Sequence, residues 1–127
     1  MFNKFHHVAI ICSDYPTSKH FYVEVLGLKV LHEHYRQERD SYKLDLALVD
    51  GSQIELFSFP DAPLRPNYPE AQGLRHLAFA VEDINVTTAH LSKHGVSVEA
   101  IRTDEFTGKQ FTFFQDPDGL PLEIYEQ

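Results

Sequence analysis

A phrase of eight residues occurs twice in this chain of 127 residues, and it constrains the fold more than any other feature of the sequence. The first copy is DGSQIELF at 50–57 and the second is DGLPLEIY at 118–125. Each copy reads Asp-Gly, two variable residues, an aliphatic residue, Glu, a second aliphatic residue and an aromatic residue. Internal repetition of this kind indicates a duplicated structural unit.

The repeat extends upstream of the eight-residue phrase. HHVAIICSD at 6–14 matches RHLAFAVED at 75–83, with His7 opposite His76 at a step of 69 residues. The step between the two Glu residues of the shorter phrase, Glu55 and Glu123, is 68 residues. Matched beginnings and matched ends predict that the chain consists of two copies of one half-chain unit.

A helix-like segment follows each upstream match, at 14–28 and at 83–96. Each segment begins at an Asp suited to N-capping, and each ends near a glycine, Gly27 or Gly95, suited to a left-handed C-terminal position. Three strand-like segments follow in each half: 27–37, 45–51 and 53–59 in the first, and 96–104, 109–119 and 120–127 in the second. The two Asp-Gly pairs are typical of tight hairpin turns.

The fold class predicted from this pattern is α+β, with two tandem βαβββ modules in a single domain. The first module is expected at 1–59 and the second at 74–127. Residues 60–73 between them contain four of the seven prolines, and proline disfavours both helix and central strand. We therefore interpret residues 60–73 as a linker.

Composition narrows the class of partner. A formal net charge of −8 disfavours nucleic acid and an anionic membrane surface. No apolar run approaches the ~20 residues of a membrane span. The one cysteine, Cys12, excludes an internal disulfide framework and favours a reducing compartment. We expect a soluble cytoplasmic protein that binds a small molecule.

Side chains two residues apart on a strand share a face, and this rule places the charged residues of each half. His7 shares a face with Ala9, and Glu55 shares a face with Phe57. In the second half His76 shares a face with Ala78, and Glu123 shares a face with Tyr125. The opposite faces are apolar and suited to packing against a helix. Small alanines beside the histidines leave volume of the kind that a binding cavity needs.

A carboxylate in an apolar strand is costly to bury unless another group neutralises it. The two histidines and two glutamates converge if the halves pack with pseudo-twofold symmetry. A divalent cation then satisfies all four groups, and nitrogen and oxygen ligands suit Zn, Ni, Mn or Fe. The predicted metal ligands are His7, Glu55, His76 and Glu123.

Taken singly, these residues have simpler interpretations. One His in a strand is usually a structural or surface residue, and one Glu usually faces solvent. The matched pairs favour the metal site over both interpretations. His6 competes with His7, but the repeat aligns His6 with Arg75 and so favours His7. Four further histidines have no matched partner and are interpreted as surface or packing residues: His32, His34, His90 and His94.

The whole chain resembles the vicinal oxygen chelate superfamily, and most of all its small bacterial glyoxalase-I-like branch. The matching stretches are HHVAI, FYVEVLGLKV, IELF, LRHLAFAVED and FTFFQDPDGLPLEIYE. The resemblance implies a curved, barrel-like mixed sheet around one divalent metal ion, with Zn or Ni foremost and Mn or Fe as alternatives. It implies a lyase or isomerase of the lactoylglutathione lyase type, in which the metal chelates vicinal oxygens of a small substrate. Glu123 and Glu55 are then the candidate catalytic bases.

The superfamily also implies other functions and a common assembly. An extradiol-type Fe(II) dioxygenase is a weaker alternative, because a fourth protein ligand occupies a position that oxygen chemistry needs. A third alternative is a non-catalytic protein that sequesters a small molecule or antibiotic. Small members are often homodimers, and a linker of ~14 residues spans ~45 Å when extended, which permits pairing of modules within a chain or across a dimer.

Several polar residues are candidates for binding an acidic group of the substrate. They lie at 35–45, in the linker and before the FTFF stretch: Tyr35, Arg36, Arg39, Tyr42, Lys43, Arg65 and Lys109. Interleaved acidic residues favour the interpretation that each one is a solvated charge. No stretch matches a glutathione-binding set.

Overall fold

Strand, helix and three further strands follow one another twice in the computed structural model, which describes residues 1–127. The chain divides into two compact units, Met1–Leu64 and Arg65–Gln127, called here the first and second modules. The boundary between the units falls inside the segment 60–73. The α+β class and the two tandem βαβββ modules predicted from the repeat are confirmed.

The first module contains four strands and one main helix. The strands are β1 (His7–Cys12), β2 (Lys29–Arg36), β3 (Ser41–Ala47) and β4 (Gln53–Ser58). Helix α1 (Tyr15–His20) continues into a π-helical turn at Phe21–Val25, and a 3₁₀ turn at Gln37–Arg39 joins β2 to β3. The predicted strand at 45–51 therefore begins and ends four residues earlier than expected.

The second module repeats this order. Its strands are β5 (Leu77–Val81), β6 (Arg102–Thr103), β7 (Gln110–Gln115) and β8 (Pro121–Glu126), and its helix is α2 (Ile84–Lys93). Only two residues of the predicted strand at 96–104 pair as a strand. The hydroxyl of Thr112 on β7 donates to the carbonyls of Glu99 and Ala100 at 2.8 and 3.2 Å, so these carbonyls bond to a side chain of the neighbouring strand instead of to its backbone.

Strand pairing produces two four-stranded mixed sheets and not one continuous sheet. The order is β1-β4-β3-β2 in the first module and β5-β8-β7-β6 in the second. In each sheet the first strand pairs in parallel with the last, and the other pairings are antiparallel. Identical order and identical strand directions are the structural form of the sequence repeat.

One face of the first sheet forms the core with α1, as the alternation of apolar residues predicts. Ile10, Leu44 and Leu56 lie on this face and are buried. Tyr22, from the π-helical turn, is fully buried as well. Burying an aliphatic side chain contributes about 1.5–3 kcal/mol, so this layer holds helix and sheet together. The other face of the sheet is not covered by α1.

Both helices begin and end as the sequence predicts. The carboxylate of Asp14 accepts a hydrogen bond from the backbone N–H of Thr17 at 3.0 Å, and that of Asp83 accepts one from Val86 at 3.1 Å. These bonds satisfy backbone donors that a helix leaves without partners in its first turn. Gly27 and Gly95 follow the helices with φ of +77° and +78°.

Both Asp-Gly pairs lie in tight turns between antiparallel strands, as predicted. In the first turn the N–H of Leu48 donates to the carbonyl of Ser52 at 2.9 Å. In the second turn the N–H of Asp116 donates to the carbonyl of Leu120 at 3.0 Å. Residues 60–73 contain neither helix nor strand. Neither helix is long and apolar enough to cross a membrane.

Candidate metal centre

His7 and Glu55 meet on the face of the first sheet that α1 leaves uncovered. They lie on β1 and β4, which run in parallel with Ala9 directly opposite Glu55. His7 Nε2 is 3.4 Å from Glu55 Oε2, and the side chains are 39% and 16% exposed. The small side chain of Ala9 lets the imidazole reach the carboxylate across the strand pair. The predicted pairing of these two residues is therefore present in the first module.

His76 and Glu123 form the equivalent pair in the second module. His76 immediately precedes β5, and Ala78 lies opposite Glu123 on the neighbouring β8. His76 Nε2 is 2.8 Å from Glu123 Oε2, and the side chains are 32% and 13% exposed. Both modules thus present one imidazole nitrogen and one carboxylate at equivalent positions of their own sheets.

The two pairs have different neighbours. Asp45 of β3 lies opposite Glu55, and Lys43 Nζ is 2.7 Å from Asp45 Oδ1 and 3.8 Å from Glu55 Oε1. In the second module Phe113 of β7 lies opposite Glu123. The first pair therefore has a charged environment, whereas the second has an aromatic one.

Each histidine ring is oriented by a contact that leaves Nε2 directed at its glutamate. His6 Nδ1 lies 2.9 Å from His7 Nδ1, and the two rings meet edge-on. His76 instead packs edge-on against Phe113, with ring centroids 5.1 Å apart. A partner on the second ring nitrogen is the usual means of orienting a histidine ligand. Sequence reasoning considered His6 only as a competing ligand and missed Phe113, although the repeat step from Asp45 leads to it.

The donor set fits a divalent cation, since imidazole nitrogen and carboxylate oxygen are ligands for Zn and its neighbours. Each module supplies two such ligands. No group of three or more His, Cys, Asp or Glu side chains positioned to hold a metal is found in the chain. The four-ligand set of His7, Glu55, His76 and Glu123 stays a prediction.

The remaining candidate residues separate into three groups, which lie on the His–Glu face, on the helix side of the first sheet, and in loops. Lys43, Arg36 and Arg39 contact Phe57 or Phe59 and so lie on the His–Glu face of the first sheet. Tyr42 stacks on Tyr15 of α1 with ring centroids 4.1 Å apart, on the helix side of the sheet. The tyrosine cluster is therefore part of the packing between helix and sheet.

Tyr35 belongs to the same cluster, and the other candidates lie in loops. Tyr35 packs against Tyr42, and its hydroxyl donates to Asp40 at 2.5 Å. Arg65 Nε donates to Asn67 Oδ1 at 2.6 Å within the linker. Lys109 lies in the loop between β6 and β7, where its backbone N–H donates to the hydroxyl of Thr107.

Comparison with known proteins identifies the family. Residues 4–124 match the model of the Glyoxalase/Bleomycin resistance protein/Dioxygenase superfamily. The chain is 61% identical over 122 residues to YwkD of Bacillus subtilis and 60% identical over 122 residues to YaeR of Escherichia coli, covering 96% of this chain and 95% of each relative. The crystal structure of a glyoxalase family protein from Enterococcus faecalis superimposes with a TM-score of 0.92 at 53% identity, covering 98% of both chains. The chain belongs to the Glyoxalase/Bleomycin resistance protein/Dioxygenase superfamily.

Proposed function

We propose that this protein is a metal-dependent lyase or isomerase of the glyoxalase I type, acting on a small substrate with two vicinal oxygens. One divalent metal ion is bound by His7, Glu55, His76 and Glu123. Zn or Ni is the first choice of metal, followed by Mn and Fe. The proposal also includes a homodimer. It includes a cytoplasmic location as well, because a single cysteine favours a reducing compartment.

The observation that carries the proposal is the repeated His–Glu pair. In each module an imidazole Nε2 lies 3.4 Å or less from a carboxylate oxygen, on the face that bears an alanine at the opposing position. Both carboxylates are more than four-fifths buried. Largely buried carboxylates at matched positions are better explained by a shared cation than by chance, because burying two negative charges is otherwise costly.

Distant relatives support the reaction class. The chain is 26% identical over 145 residues to the lactoylglutathione lyase of Schizosaccharomyces pombe, of which it covers 47%. It is 27% identical over 130 residues to the metallothiol transferase FosB of Staphylococcus saprophyticus, of which it covers 78%. These names support metal-dependent chemistry on small molecules and are the reason to begin with thiol adducts as substrates.

In the proposed reaction each residue has a defined task. A bound divalent metal supplies Lewis acidity that polarises the chelated oxygens and stabilises negative charge on them. His7 and His76 hold the metal, oriented by His6 and Phe113. Glu55 or Glu123 removes a proton from the carbon next to the carbonyl and returns it to the neighbouring carbon. Ala9 and Ala78 leave room for the substrate beside the metal.

The proposal is tested by elemental analysis of the untagged protein and of the Glu55→Ala variant. The expected result is about one Zn, Ni, Mn or Fe per four-ligand site in the native protein, and loss of that metal in the variant. Glu99→Ala is the control, because Glu99 is an exposed carboxylate on the second module. Absence of metal after incubation with each ion would contradict the proposal and favour a sequestering protein.

Turnover assays then separate the remaining alternatives. With Zn or Ni bound, we expect isomerisation of dicarbonyl–thiol adducts that is abolished by Glu123→Gln or Glu55→Gln, whichever residue is the base. Unchanged activity in one variant removes that residue from proton transfer. Bound iron with oxygen uptake on a catechol identifies an extradiol dioxygenase instead.

A further inference from the structure

Two arginines lie on the His–Glu face of the first sheet and contact the same aromatic residue. Arg36 is the last residue of β2, and Arg39 ends the 3₁₀ turn that follows. Arg36 Cζ is 5.2 Å from the ring centroid of Phe57 and 5.8 Å from that of Phe59, while Arg39 Cζ is 5.0 Å from that of Phe59. Phe57 is two residues beyond Glu55 on β4, and the ring of Phe59 stacks on that of Phe57 with centroids 5.9 Å apart. Arg36 therefore lies next to the metal-ligand face, and Arg39 lies one ring further along.

No carboxylate neutralises either arginine. The ion pairs of the first module involve His7, Lys19 and Lys43, and no carboxylate oxygen lies within 4.0 Å of Arg36 or Arg39. This is unexpected in a chain with 19 acidic and 11 basic residues. Two guanidinium groups within 6 Å of the ring of Phe59 give this end of the face a positive charge that no acidic side chain balances, and such a charge attracts an anion.

The guanidinium of Arg36 is held in place but its hydrogen bonding is incomplete. Its Nη2 donates to the hydroxyl of Ser41 at 3.0 Å, and Ser41 itself is fully buried. Its Nε is shielded from solvent and has no hydrogen-bond partner. A buried donor without an acceptor is costly and rare in folded proteins. A planar guanidinium fixed by a hydroxyl and by aromatic rings matches the geometry of carboxylate and phosphate groups.

We propose that Arg36 and Arg39 form an oxyanion subsite that binds a carboxylate, phosphonate or phosphate group of the ligand held at the His–Glu face. Phe57 and Phe59 lie two and four positions beyond Glu55, which corresponds to roughly 7 and 13 Å along an extended chain. The substrate class is therefore a small molecule with vicinal oxygens at one end and an acidic group roughly 7–13 Å away. The assignment of vicinal oxygens to one end of the substrate rests on the proposed function, whereas the oxyanion subsite at Arg36 and Arg39 does not.

Arg102 of the second module provides a matched control. Its Cζ is 5.0 Å from the ring of Phe111 and 5.4 Å from that of Phe113, so its aromatic contacts resemble those of Arg36. Its Nη2, however, lies 3.4 Å from the carboxylate of Glu99. If aromatic contact alone produced anion binding, Arg102 would be as effective as Arg36.

The test is a titration of the metal-free 127-residue chain with inorganic phosphate at constant ionic strength, monitored by NMR of the arginine Nε–H groups. We expect saturable shifts at two of the five arginines, and at least about tenfold weaker binding in the Arg36→Gln/Arg39→Gln double variant. Arg102→Gln is expected to bind phosphate like the native protein. Arg36→Lys keeps the charge but loses the planar fork, so intermediate binding is expected.

Three results would overturn the subsite: no saturation in the native protein, equal binding in the double variant, or equal weakening in Arg102→Gln. Thermal unfolding of each variant establishes that it folds. Because the titration uses no metal, its outcome is independent of the elemental analysis. Phosphate binding without metal uptake rejects the proposed function alone, and metal uptake without phosphate binding rejects the subsite alone.

Discussion

Glu55 and Glu123 occupy equivalent positions, yet the residues around them differ in chemistry. Glu55 faces Asp45 and lies 3.8 Å from Lys43, whereas Glu123 faces Phe113. The duplication thus retains the two His–Glu pairs while the neighbouring positions diverge. Arginine and aromatic rings occur near both pairs, so the difference lies in the residue directly opposite each glutamate, Asp45 for Glu55 and Phe113 for Glu123.

Single-residue geometry was predictable from the sequence where it depends on the backbone alone. The two-residue period of a strand places His7 with Ala9 and Glu55 with Phe57, and the structure agrees. The approach of Lys43 to Glu55 depends instead on the register of β3 against β4. An irregularity between Val30 and His32 further shifts β2 against β3. Register across strands is a tertiary property that local patterns do not specify.

Glu33 is a residue whose titration is expected to affect stability. Its carboxylate accepts hydrogen bonds from Lys19 at 2.7 Å and from the hydroxyl of Tyr15, and thereby joins α1 to β2. The pKa of Glu33 is lowered below its ordinary value of 4.5. The largest cause is the hydrogen bond from Lys19, and the second is the hydrogen bond from Tyr15. The pKa of Tyr15 is raised, mainly by burial and secondly by its hydrogen bond to the Glu33 carboxylate. Tyr15 therefore stays protonated and acts as the donor.

Because the folded-state pKa of Glu33 is depressed, its contribution is present above the unfolded-state pKa and is lost as pH falls through the folded-state value. We expect Glu33→Gln to be less stable than the native protein at pH 7, and the difference to narrow below about pH 4.5. Urea unfolding at several pH values measures this. A difference that stays constant with pH would show that the ionised carboxylate contributes nothing. Glu38→Gln, an exposed change in the 3₁₀ turn, is the control.

At the scale of elements, helix boundaries were predictable and helix type was not. Asp14 and Asp83 cap the helices as expected, because capping depends on a few adjacent residues. The π-helical turn was missed. It is defined by a bond from the N–H of Leu26 to the carbonyl of Phe21, five residues back. The buried positions Ser18, Phe21, Tyr22 and Val25 also fit an α-helical period, so hydrophobic spacing does not distinguish the two.

The glycines that end the helices lead to a prediction at this scale. Gly27 and Gly95 have left-handed backbone conformations, and an added Cβ meets no atom within 4 Å at either position. Substitution with alanine therefore costs only conformational energy, about 1 kcal/mol at each site. Thermal unfolding is expected to show a loss of about 3–5 °C for Gly27→Ala and for Gly95→Ala.

Asparagine tolerates the left-handed region better than alanine does, so Gly95→Asn is expected to lose less stability than Gly95→Ala. Equal losses for the two substitutions would indicate a packing effect at this position and not a backbone effect. Similar losses for Gly27→Ala and Gly95→Ala would in turn support the assignment of both glycines as equivalent helix ends.

For the whole molecule, the repeat predicted the duplicated architecture before any single element was certain. A step of 68 to 69 residues relates both the His–Glu pairs and the strand order of the two sheets. The family resemblance implied a curved, barrel-like mixed sheet, and the structure corrects this expectation, because the strands pair within each module into two four-stranded sheets that are not closed into a barrel. The short β6 likewise depends on the hydroxyl of Thr112, which bonds to carbonyls on a neighbouring segment.

If one metal ion is shared by both modules, the loss of either glutamate must weaken metal binding, whatever residues surround it. We expect Glu55→Ala and Glu123→Ala to lower the metal content of the purified protein to the same low level. Each variant leaves three ligands, and removing an anionic ligand weakens both the coordination and the charge balance of the site. Metal retained in one variant at the native level would show that its glutamate is not a ligand.

A mixture of these two variants then distinguishes the two ways in which the modules can pair. If a site combines the first module of one chain with the second module of its partner, a heterodimer of Glu55→Ala and Glu123→Ala contains one intact site and one site that lacks both glutamates. Unfolding and refolding an equimolar mixture then restores metal to about a quarter of all sites, by random pairing of chains. If the site forms within one chain, every site in the mixture lacks one glutamate and no metal is restored. Elemental analysis of the refolded mixture therefore identifies the arrangement, with each variant refolded alone as its control.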